Sequence, residues 1–380
     1  MSFLNDGASE MIYPLLPDFI TRVLGAGPAA LGLIEGIAEA TASLAKAAAG
    51  WWSDKVNRRK PFVVLGYSIA TLARPLTGLA VSWSQVLAIR FSDRLGKGLR
   101  TPPRDALLAD LAPPDGRGRA FGIQRAMDNA GALAGPILAA LLLRFWIAEE
   151  RTLFLLALVP GLLAVALLIA RVPEKKREAP PPAAHADTPA RLSRSLRTAI
   201  AIFSLFTLAN STDAFLLLRA RDCGVPVWQL PLLWAYFNGA KAAFGVPGGA
   251  LSDRIGRLPT IAIGWLIYTL SYAGLAFAAV PLHVWVLFGF YALFFAASEG
   301  AERALIADLA GERTRGRAFG VFHASVGLAA LPASILFGLW WKLFGPRAAF
   351  LIGAAISLVA TAALFLFRGR MLASNESSRK

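Results

Sequence analysis

Apolar residues recur along this chain in stretches of about twenty, the length of helix that crosses the hydrocarbon core of a bilayer. The clearest stretches are 61–80, 153–170, 259–280 and 348–367. Read with their breakers, the stretches predict twelve transmembrane helices, at 3–24, 29–51, 61–81, 86–109, 119–143, 152–171, 196–220, 228–251, 259–279, 283–307, 318–340 and 347–368. Charges interrupt the first, second, fourth, seventh, eighth and tenth, which we therefore expect to score weakly on hydropathy alone.

Composition agrees with a membrane protein and excludes other classes. Hydrophobic residues make up 56% of the chain and charged residues 17%, against roughly 25% charged residues in soluble domains. Cys223 is the only cysteine, so neither an intramolecular disulfide nor a cysteine-based metal site is expected. Gly96-Lys97-Gly98 lies inside a predicted helix and makes no phosphate-binding loop. With no catalytic triad either, we predict neither an enzyme nor an ATP-driven pump, and no cofactor.

The basic residues give the orientation. A net charge of +15 does not indicate a nucleic-acid-binding protein, because the basic residues lie between apolar spans. Asp6 and Glu10 replace the basic end of a cleavable signal peptide, so none is expected. Connections rich in lysine and arginine are typically cytoplasmic. We therefore predict a multi-pass protein of a prokaryotic inner (plasma) membrane with both termini inside, its cytoplasmic connections carrying Lys55, Arg58, Arg59, Lys60, Arg117, Arg119, Arg254, Arg257, Arg313, Arg315 and Arg317.

An internal repeat predicts two related halves. Residues 106–122 read ALLADLAPPDGRGRAFG and residues 304–320 read ALIADLAGERTRGRAFG, identical at twelve of seventeen positions at an offset of 198. Parallel repeats of this kind are typical of transporters whose halves are related about the membrane normal. The basic, proline-rich stretch between them is interpreted as a disordered cytoplasmic linker. The predicted fold is an all-α membrane protein of two six-helix bundles, at 1–171 and 196–368, with a linker at 172–195 and a cytoplasmic tail at 369–380.

The loops after helices two and eight carry related motifs. Residues 249–257 read GALSDRIGR, and residues 50–58 read GWWSDKVNR, with Lys55 for arginine and Asn57 for the second glycine. Both resemble the loop signature G-x-x-x-D-R-x-G-R of the major facilitator superfamily, and the resemblance covers nearly the whole chain. It implies a latch at the cytoplasmic gate and a functional monomer in the lipid bilayer. The predicted gate residues are Gly50, Asp54, Arg58, Gly249, Asp253, Arg254, Arg257 and, as scaffolding from the repeat, Asp110, Arg119, Asp308 and Arg317.

Helices four and five extend the resemblance. Residues 90–100 read RFSDRLGKGLR, similar to the superfamily's R-x-x-Q-G-x-G with an aspartate and an arginine in place of glutamine and glycine. The resemblance associates the position of Arg90 with proton coupling. Residues 131–136 read GALAGP, similar to the G-x-x-x-G-P motif of the superfamily's antiporters, and this favours export. Small residues four apart followed by proline predict a close helix contact at Gly131, Gly135 and Pro136.

Ionisable residues inside the predicted spans are the candidate site. Each costs roughly 2.5–3.5 kcal/mol to insert at a helix centre, so such residues usually serve a function. For a single residue a structural ion pair is an equally good interpretation, but for the whole set function is the better one. The best candidates are Asp93, Arg94 and Lys97, followed by Asp6, Glu10 and Asp213 on helices that the resemblance implies line the cavity. The remaining candidates for substrate or proton translocation are Arg90, Glu39, Asp128, Lys241 and Glu299.

The sequence leaves three hypotheses for function. The first is proton-coupled efflux of a small polar or amphipathic molecule by alternating access, with a carboxylate such as Asp93 or Asp6 exchanging the proton. The second is a proton symporter that imports a nutrient or metallophore. The third, of another class, is a membrane scaffold or sensor that transports nothing. Two intact gate motifs argue against the third.

Overall fold

The computed structural model describes residues 1–56, 59–113, 117–173, 192–310 and 315–369, and every regular element there is helical. The predicted gate residue Arg58 lies outside these ranges, as does the side chain of Asp54. Most of the predicted linker 172–195 and of the predicted tail 369–380 also lies outside them. The structure therefore tests the helical spans and the side chains within them.

The first half contains six membrane-spanning helices, α1 to α6. Several begin at residues suited to helix starts: Pro61 occupies the first turn of α3, and the Ser82 hydroxyl accepts a hydrogen bond from the Gln85 amide at the start of α4. The bounds are α1 Ser2–Ile12, continued by short turns to Val23; α2 Pro28–Val56; α3 Lys60–Ala73, continued by a 3-10 turn Arg74–Leu79; α4 Trp83–Leu111; α5 Arg117–Phe145; and α6 Glu150–Leu156 with Leu158–Arg171.

The second half repeats the arrangement with α7 to α12. Gly345, at a φ of 81°, separates α11 from α12, and a positive φ of this kind suits a residue without a Cβ. The predicted seventh helix is interrupted between Ala209 and Ala214. The bounds are α7 Arg194–Ala209 with Ala214–Asp222; α8 Gln229–Ile255; α9 Arg257–Phe277; α10 Pro281–Leu309; and α11 and α12 together Arg315–Leu366.

Within the described residues, seven stretches are long and apolar enough to cross a membrane, and the last, Arg317–Leu366, contains both α11 and α12. The helices that do not meet this hydropathy criterion are α1, α2, α4 and α8, as expected from their charges. The expectation of weak hydropathy is wrong for α7 and α10. In α10 the charges cluster from Glu299 onward and leave eighteen uncharged residues before it. The twelve-helix fold itself is confirmed.

The chain forms two compact units, each with its own packing. The first comprises α1 to α6 together with Pro226–Ala235, and the second comprises α7, the rest of α8 and α9 to α12. In the first unit α4 packs against α2 and α3, and α1 packs against α5 and α6. In the second unit α9 packs against α10, and the α11–α12 segment packs against α7 and α9.

Glycines set the distance between helices in the first unit. A Cβ built on Gly66 of α3 would lie 2.5 Å from the carbonyl oxygen of Gly96 on α4. A Cβ on Gly98 would meet the side chain of Ala45 on α2. Such small residues let backbones approach closely in a membrane, and they bring the charged face of α4 against its neighbours.

Candidate functional site

A buried ionic network joins three helices of the first unit. The Arg74 Nε donates to Asp93 Oδ1 at 2.6 Å, and the Arg90 guanidinium donates to both Glu35 oxygens at 2.6 and 2.7 Å. Arg90 also lies 3.6 Å from the other Asp93 oxygen. All four side chains are at most 7% exposed. Two arginines and two carboxylates thus compensate each other between α2, α3 and α4.

The network also reaches α1 through Asn5. The Arg74 Nη1 donates to the Asn5 carbonyl oxygen at 3.2 Å and to its side-chain oxygen at 3.0 Å. Arg74 was missing from the predicted site. The available signal was that it is the one charged residue in the apolar stretch 61–80. A structural ion pair was an equally good interpretation of any single charged residue in the sequence, and Arg90 forms such a pair with Glu35.

Arg94 and Lys97 lie beside this network and differ from it. They are three residues apart on α4 and therefore share a face, and both are partly exposed. Within the described residues neither makes a hydrogen bond or ion pair, and the Arg94 Nε is buried without a partner. Glu39 of α2 has an exposed side chain and lies within electrostatic range of both Arg94 and Lys97. Lys46, also of α2, lies within electrostatic range of Lys97. The predicted residues Glu39, Arg94 and Lys97 are therefore brought together.

A row of carboxylates follows α1. Asp6 and Glu10 are one helical turn apart and interact electrostatically with each other and with Lys97. The Glu10 carboxylate accepts a hydrogen bond of 2.6 Å from the Trp234 indole nitrogen. Asp128 of α5 extends the row, because it lies within electrostatic range of Asp6. Among the described residues these carboxylates, unlike Asp93, have no arginine within hydrogen-bonding distance. The ion pair present is a long one, with an Arg104 nitrogen 3.8 Å from Asp128.

Two further arginines of α4 complete its charged face. Arg100 is 3% exposed, its guanidinium lies 4.4 Å from the centre of the Tyr67 ring, and its Nε and Nη1 have no partner in the described residues. Arg104 pairs with Asp105 at 3.0 Å. Lys97 is the last residue of α4 among the sequence-based candidates for translocation, and Arg100 and Arg104 lie about one and two turns beyond it.

The second unit uses aromatic rings where the first uses charges. Asp213 accepts a hydrogen bond of 2.8 Å from the Tyr291 hydroxyl, and the Lys241 Nζ lies 4.2 Å from the centre of the Phe295 ring. Glu299 forms a partly exposed pair with Arg303 at 2.6 Å. Glu302, which was not among the predicted site residues, accepts a hydrogen bond of 2.9 Å from the Trp265 indole. The predicted residues of this half do not form one cluster in the contacts described.

The repeat offset of 198 makes the difference between the halves explicit. It relates α4, Trp83–Leu111, to α10, Pro281–Leu309, residue for residue. It places Tyr272 and Tyr291 where the first half has Arg74 and Asp93, and these tyrosine rings lie 6.2 Å apart between centres. At the positions of Arg94 and Lys97 the second half has Ala292 and Phe295. The same helical scaffold therefore carries charges in one half and none at these positions in the other.

The gate motifs make the same ion pair in both halves. Arg59 pairs with Asp110 at 2.5 Å, and Arg257, 198 residues later, pairs with Asp308 at 3.3 Å and with Asp253 at 2.5 Å. Arg59, which was not selected, is thus the residue equivalent to Arg257. The sequence signal for this equivalence was a change in the offset between the halves. The offset is 199 residues from Gly50 to Gly249 and 198 residues in the repeat. Gly50 and Gly249 have room for a Cβ, and Arg119, Arg254 and Arg317 are exposed.

The helix-five motif packs onto α1. A Cβ on Gly131 would approach the Phe3 carbonyl oxygen, and a Cβ on Gly135 would approach the backbone of Gly7, both well inside van der Waals contact. Pro136 lies inside α5. The close helix contact predicted from the spacing is present, and it places the motif beside the carboxylate row.

Known proteins are similar to this chain in fold and in sequence. A family model of the Major Facilitator Superfamily matches residues 1–237 and 220–380. The chain belongs to the major facilitator superfamily. It is 36% identical over 369 residues to an uncharacterized MFS-type transporter of Methanocaldococcus jannaschii, with 94% of this chain and 91% of that protein covered.

More distant relatives of the superfamily carry names with a cargo. The chain is 27% identical to the multidrug resistance protein MdtG of Serratia proteamaculans, covering 75% of this chain and 72% of that one. It is 26% identical to a probable 4-methylmuconolactone transporter of Cupriavidus pinatubonensis, covering 70% and 65%. A bacterial homologue of the lysosomal transporter Spinster shares the fold, with a TM-score of 0.77, 18% identity and coverage of 96% and 94%. This superfamily member is thus a multi-pass membrane transporter and not an enzyme.

Proposed function

We propose that this protein is a proton-coupled secondary transporter, which moves a small polar or amphipathic molecule across a prokaryotic inner membrane by alternating access. The observation that carries the proposal is the group of carboxylates on α1 and α2 that lies within electrostatic range of Arg94 and Lys97, two side chains with no bonded partner among the described residues. Ionisable groups are costly inside a membrane, so a cluster that is not closed by ion pairs has a functional explanation.

The proton carriers in this proposal are Asp6 and Glu10 rather than Asp93. Asp93 is 2% exposed and bonds Arg74, so a proton that neutralised Asp93 would leave the buried Arg74 without its carboxylate. In the contacts of the described residues, the donor to Glu10 is the neutral Trp234 indole, so Glu10 can exist with or without its proton without losing an ion pair. Asp128 lies within electrostatic range of Asp6, and Glu39 lies within range of Arg94 and Lys97, so both are further candidates.

Export is the first candidate for the direction of transport. The Gly131–Pro136 segment resembles the motif of antiporters and packs closely on the helix that carries Asp6 and Glu10. A relative is named as a multidrug resistance protein. Import by proton symport is the second candidate, because a relative is named as a transporter of 4-methylmuconolactone and because cations are available in the charged cluster. We further propose that both termini are cytoplasmic and that one copy of the chain is sufficient.

The test is proton flux in everted membrane vesicles. A preformed proton gradient is challenged with panels of drugs, organic acids, sugars and metal chelates while an internal dye reports pH. We expect one compound class to change the gradient, and the change to disappear in Asp6→Asn and Glu10→Gln. Glu149→Gln, which removes an exposed carboxylate at the start of α6, is the matched control and should behave as the parent.

Three outcomes distinguish the hypotheses. Dissipation of the gradient by the compound supports export by exchange, and proton movement together with the compound supports symport. Equal flux in the parent and in both variants refutes the assignment of the carboxylates. A folded protein that moves no member of any panel supports the scaffold or sensor hypothesis over transport.

A further inference from the structure

The cations Arg94 and Lys97 are the part of the charged cluster that the fold itself does not use. The other cations of the same helix contact protein groups: Arg90 holds both oxygens of Glu35, Arg104 pairs with Asp105, and the Arg100 guanidinium lies over the Tyr67 ring. An arginine offers five N–H donors, and buried donors without partners are uncommon in folded proteins. The Arg94 Nε is such a donor. Unused donors at two adjacent cations indicate a missing acceptor.

The repeat separates a structural role from a functional one at these two positions. The equivalent helix of the second half, α10, has the same length as α4, and its two ends match those of α4 at the offset of 198. It has Ala292 and Phe295 at the positions of Arg94 and Lys97. A helix of this fold therefore forms and packs without cations there. Their presence in α4 is not required for building the bundle, which leaves binding as the explanation.

The surroundings contain carboxylates, but none bonds these cations. Asp6 and Glu10 approach from α1, Glu35 and Glu39 from α2, and Asp93 from α4 itself, while Lys46 of α2 adds a further positive charge. Glu35 and Asp93 are already engaged by Arg90 and Arg74. Coulomb attraction falls with distance, so an anion in direct contact would bind more strongly than these carboxylates at a distance.

We propose that the transported molecule carries an anionic group of carboxylate, phosphate or sulfonate type, and that this group binds Arg94 and Lys97. The proposal rests on the proposed function and names the cargo of that same cluster. A guanidinium and an ammonium one turn apart provide several charge-assisted donors for one such group. The side chain of Glu39 is exposed and that of Lys97 is partly exposed, so atoms of the described protein do not fill the space beside them.

The sign of the coupling to protons follows from the same geometry. A bound anion adds negative charge beside Asp6, Glu10 and Glu39 and makes their ionised forms more costly. By reciprocity, protonating these carboxylates strengthens binding of the anion. Anion and proton therefore bind together, as a symporter requires. For an anionic cargo this places import, the second candidate direction above, ahead of export.

The first test measures the electrostatic potential at position 97 and does not require that the cargo be known. Cys223 is the single cysteine, so Lys97→Cys in a Cys223→Ala background provides one new thiol. Its rate with sulfonatoethyl methanethiosulfonate, an anion, is divided by its rate with the trimethylammonioethyl reagent, a cation. The same ratio at Ala279→Cys, an exposed site in a connection without charges, is the reference.

We expect the ratio at position 97 to exceed the reference about sevenfold, the value for a local potential of about +1 kT per unit charge. Adding Arg94→Gln should return it toward the reference. Arg94→Cys with Lys97 intact is the second variant, in case the first does not fold, and should show the same excess. A ratio at or below the reference, or a thiol that reacts with neither reagent in the folded protein, overturns the proposal.

The second test uses matched probes, benzoate with benzamide and octanoate with octanamide, against the purified protein. We expect an anionic member to raise the unfolding temperature while its amide does not, with uptake of protons in weak buffer. The effect should be lost in Arg94→Gln and Lys97→Gln but kept in Lys342→Gln, an exposed lysine. Equal effects of acid and amide, persistence in the variants, or no effect of either acid overturns the proposal. Proton-coupled flux of an uncharged compound would instead retain the proposed function and exclude the anionic cargo.

Discussion

Removing one member of the pair between Arg74 and Asp93 should destabilise the first unit strongly. The side chains are 7% and 2% exposed, and Arg74 is the only group that links Asp93 to Asn5 of α1 in the contacts described. Arg74→Gln leaves a buried carboxylate with one distant guanidinium, at 3.6 Å. Breaking a buried pair from one side costs about 3–5 kcal/mol, because the remaining charge is uncompensated. We expect Arg74→Gln and Asp93→Asn each to fall in that range.

The double variant distinguishes pairing from packing. With both charges neutralised no buried charge of this pair is left alone, so its cost should be smaller than the sum of the two single costs by about 2 kcal/mol or more. The measurement is reversible unfolding in mixed micelles with increasing dodecyl sulfate, followed by tryptophan fluorescence. The matched control is the Arg303 and Glu299 pair, also at 2.6 Å but 50% and 39% exposed, for which exposed pairs predict a coupling of about 0–1 kcal/mol.

Either of two results would refute this reasoning. Single variants no less stable than the Arg303→Gln control would show that the pair does not hold the helices together. Strictly additive costs in the double variant would show that each residue acts through its own packing. A large coupling for the exposed pair would indicate that the micelle, and not burial, sets the energies.

Two further predictions concern packing and the gate. Gly135→Ala should destabilise the α1–α5 contact and reduce the yield of folded protein, because the added Cβ meets the Gly7 backbone. Gly122→Ala on the same helix is the control, since its Cβ meets nothing within 4 Å and should leave the yield unchanged. Equal yields of the two variants would contradict the contact. Arg59→Asp should impair transport through the loss of the Asp110 pair, and Arg59→Asp with Asp110→Arg should restore part of the flux in vesicles. The same exchange at Arg257 and Asp308 should behave alike, and the absence of any rescue in both halves would exclude these pairs from the gate.

Sequence reasoning located the helices because the length and composition of a membrane span are set by the bilayer. All twelve spans were placed within five residues of their observed bounds. The partners inside the bundle were harder to predict, because they depend on how helices rotate and approach one another. Arg74 lies in an otherwise uncharged stretch whose average hydropathy conceals it, and its pairing with Asp93 joins residues of two different helices. Arg59 was missed because the loop motif and the repeat differ by one residue in offset.

The two halves show what the charges are for. The positions of Arg74 and Asp93 hold tyrosines in the second half, so this fold can close the same helix contact without ions. Ion pairs buried in a membrane offer no clear gain in stability over well-packed neutral residues. In the first half, Arg74 and Arg90 engage Asp93 and Glu35, and these two carboxylates are therefore not bonded to Arg94 and Lys97. Substituting tyrosine at 74 and 93 together should therefore retain the fold more readily than either single change, because neither buried charge of the pair would be left alone. The yield of folded protein measures this, and a double variant that folds no better than the single variants would contradict it.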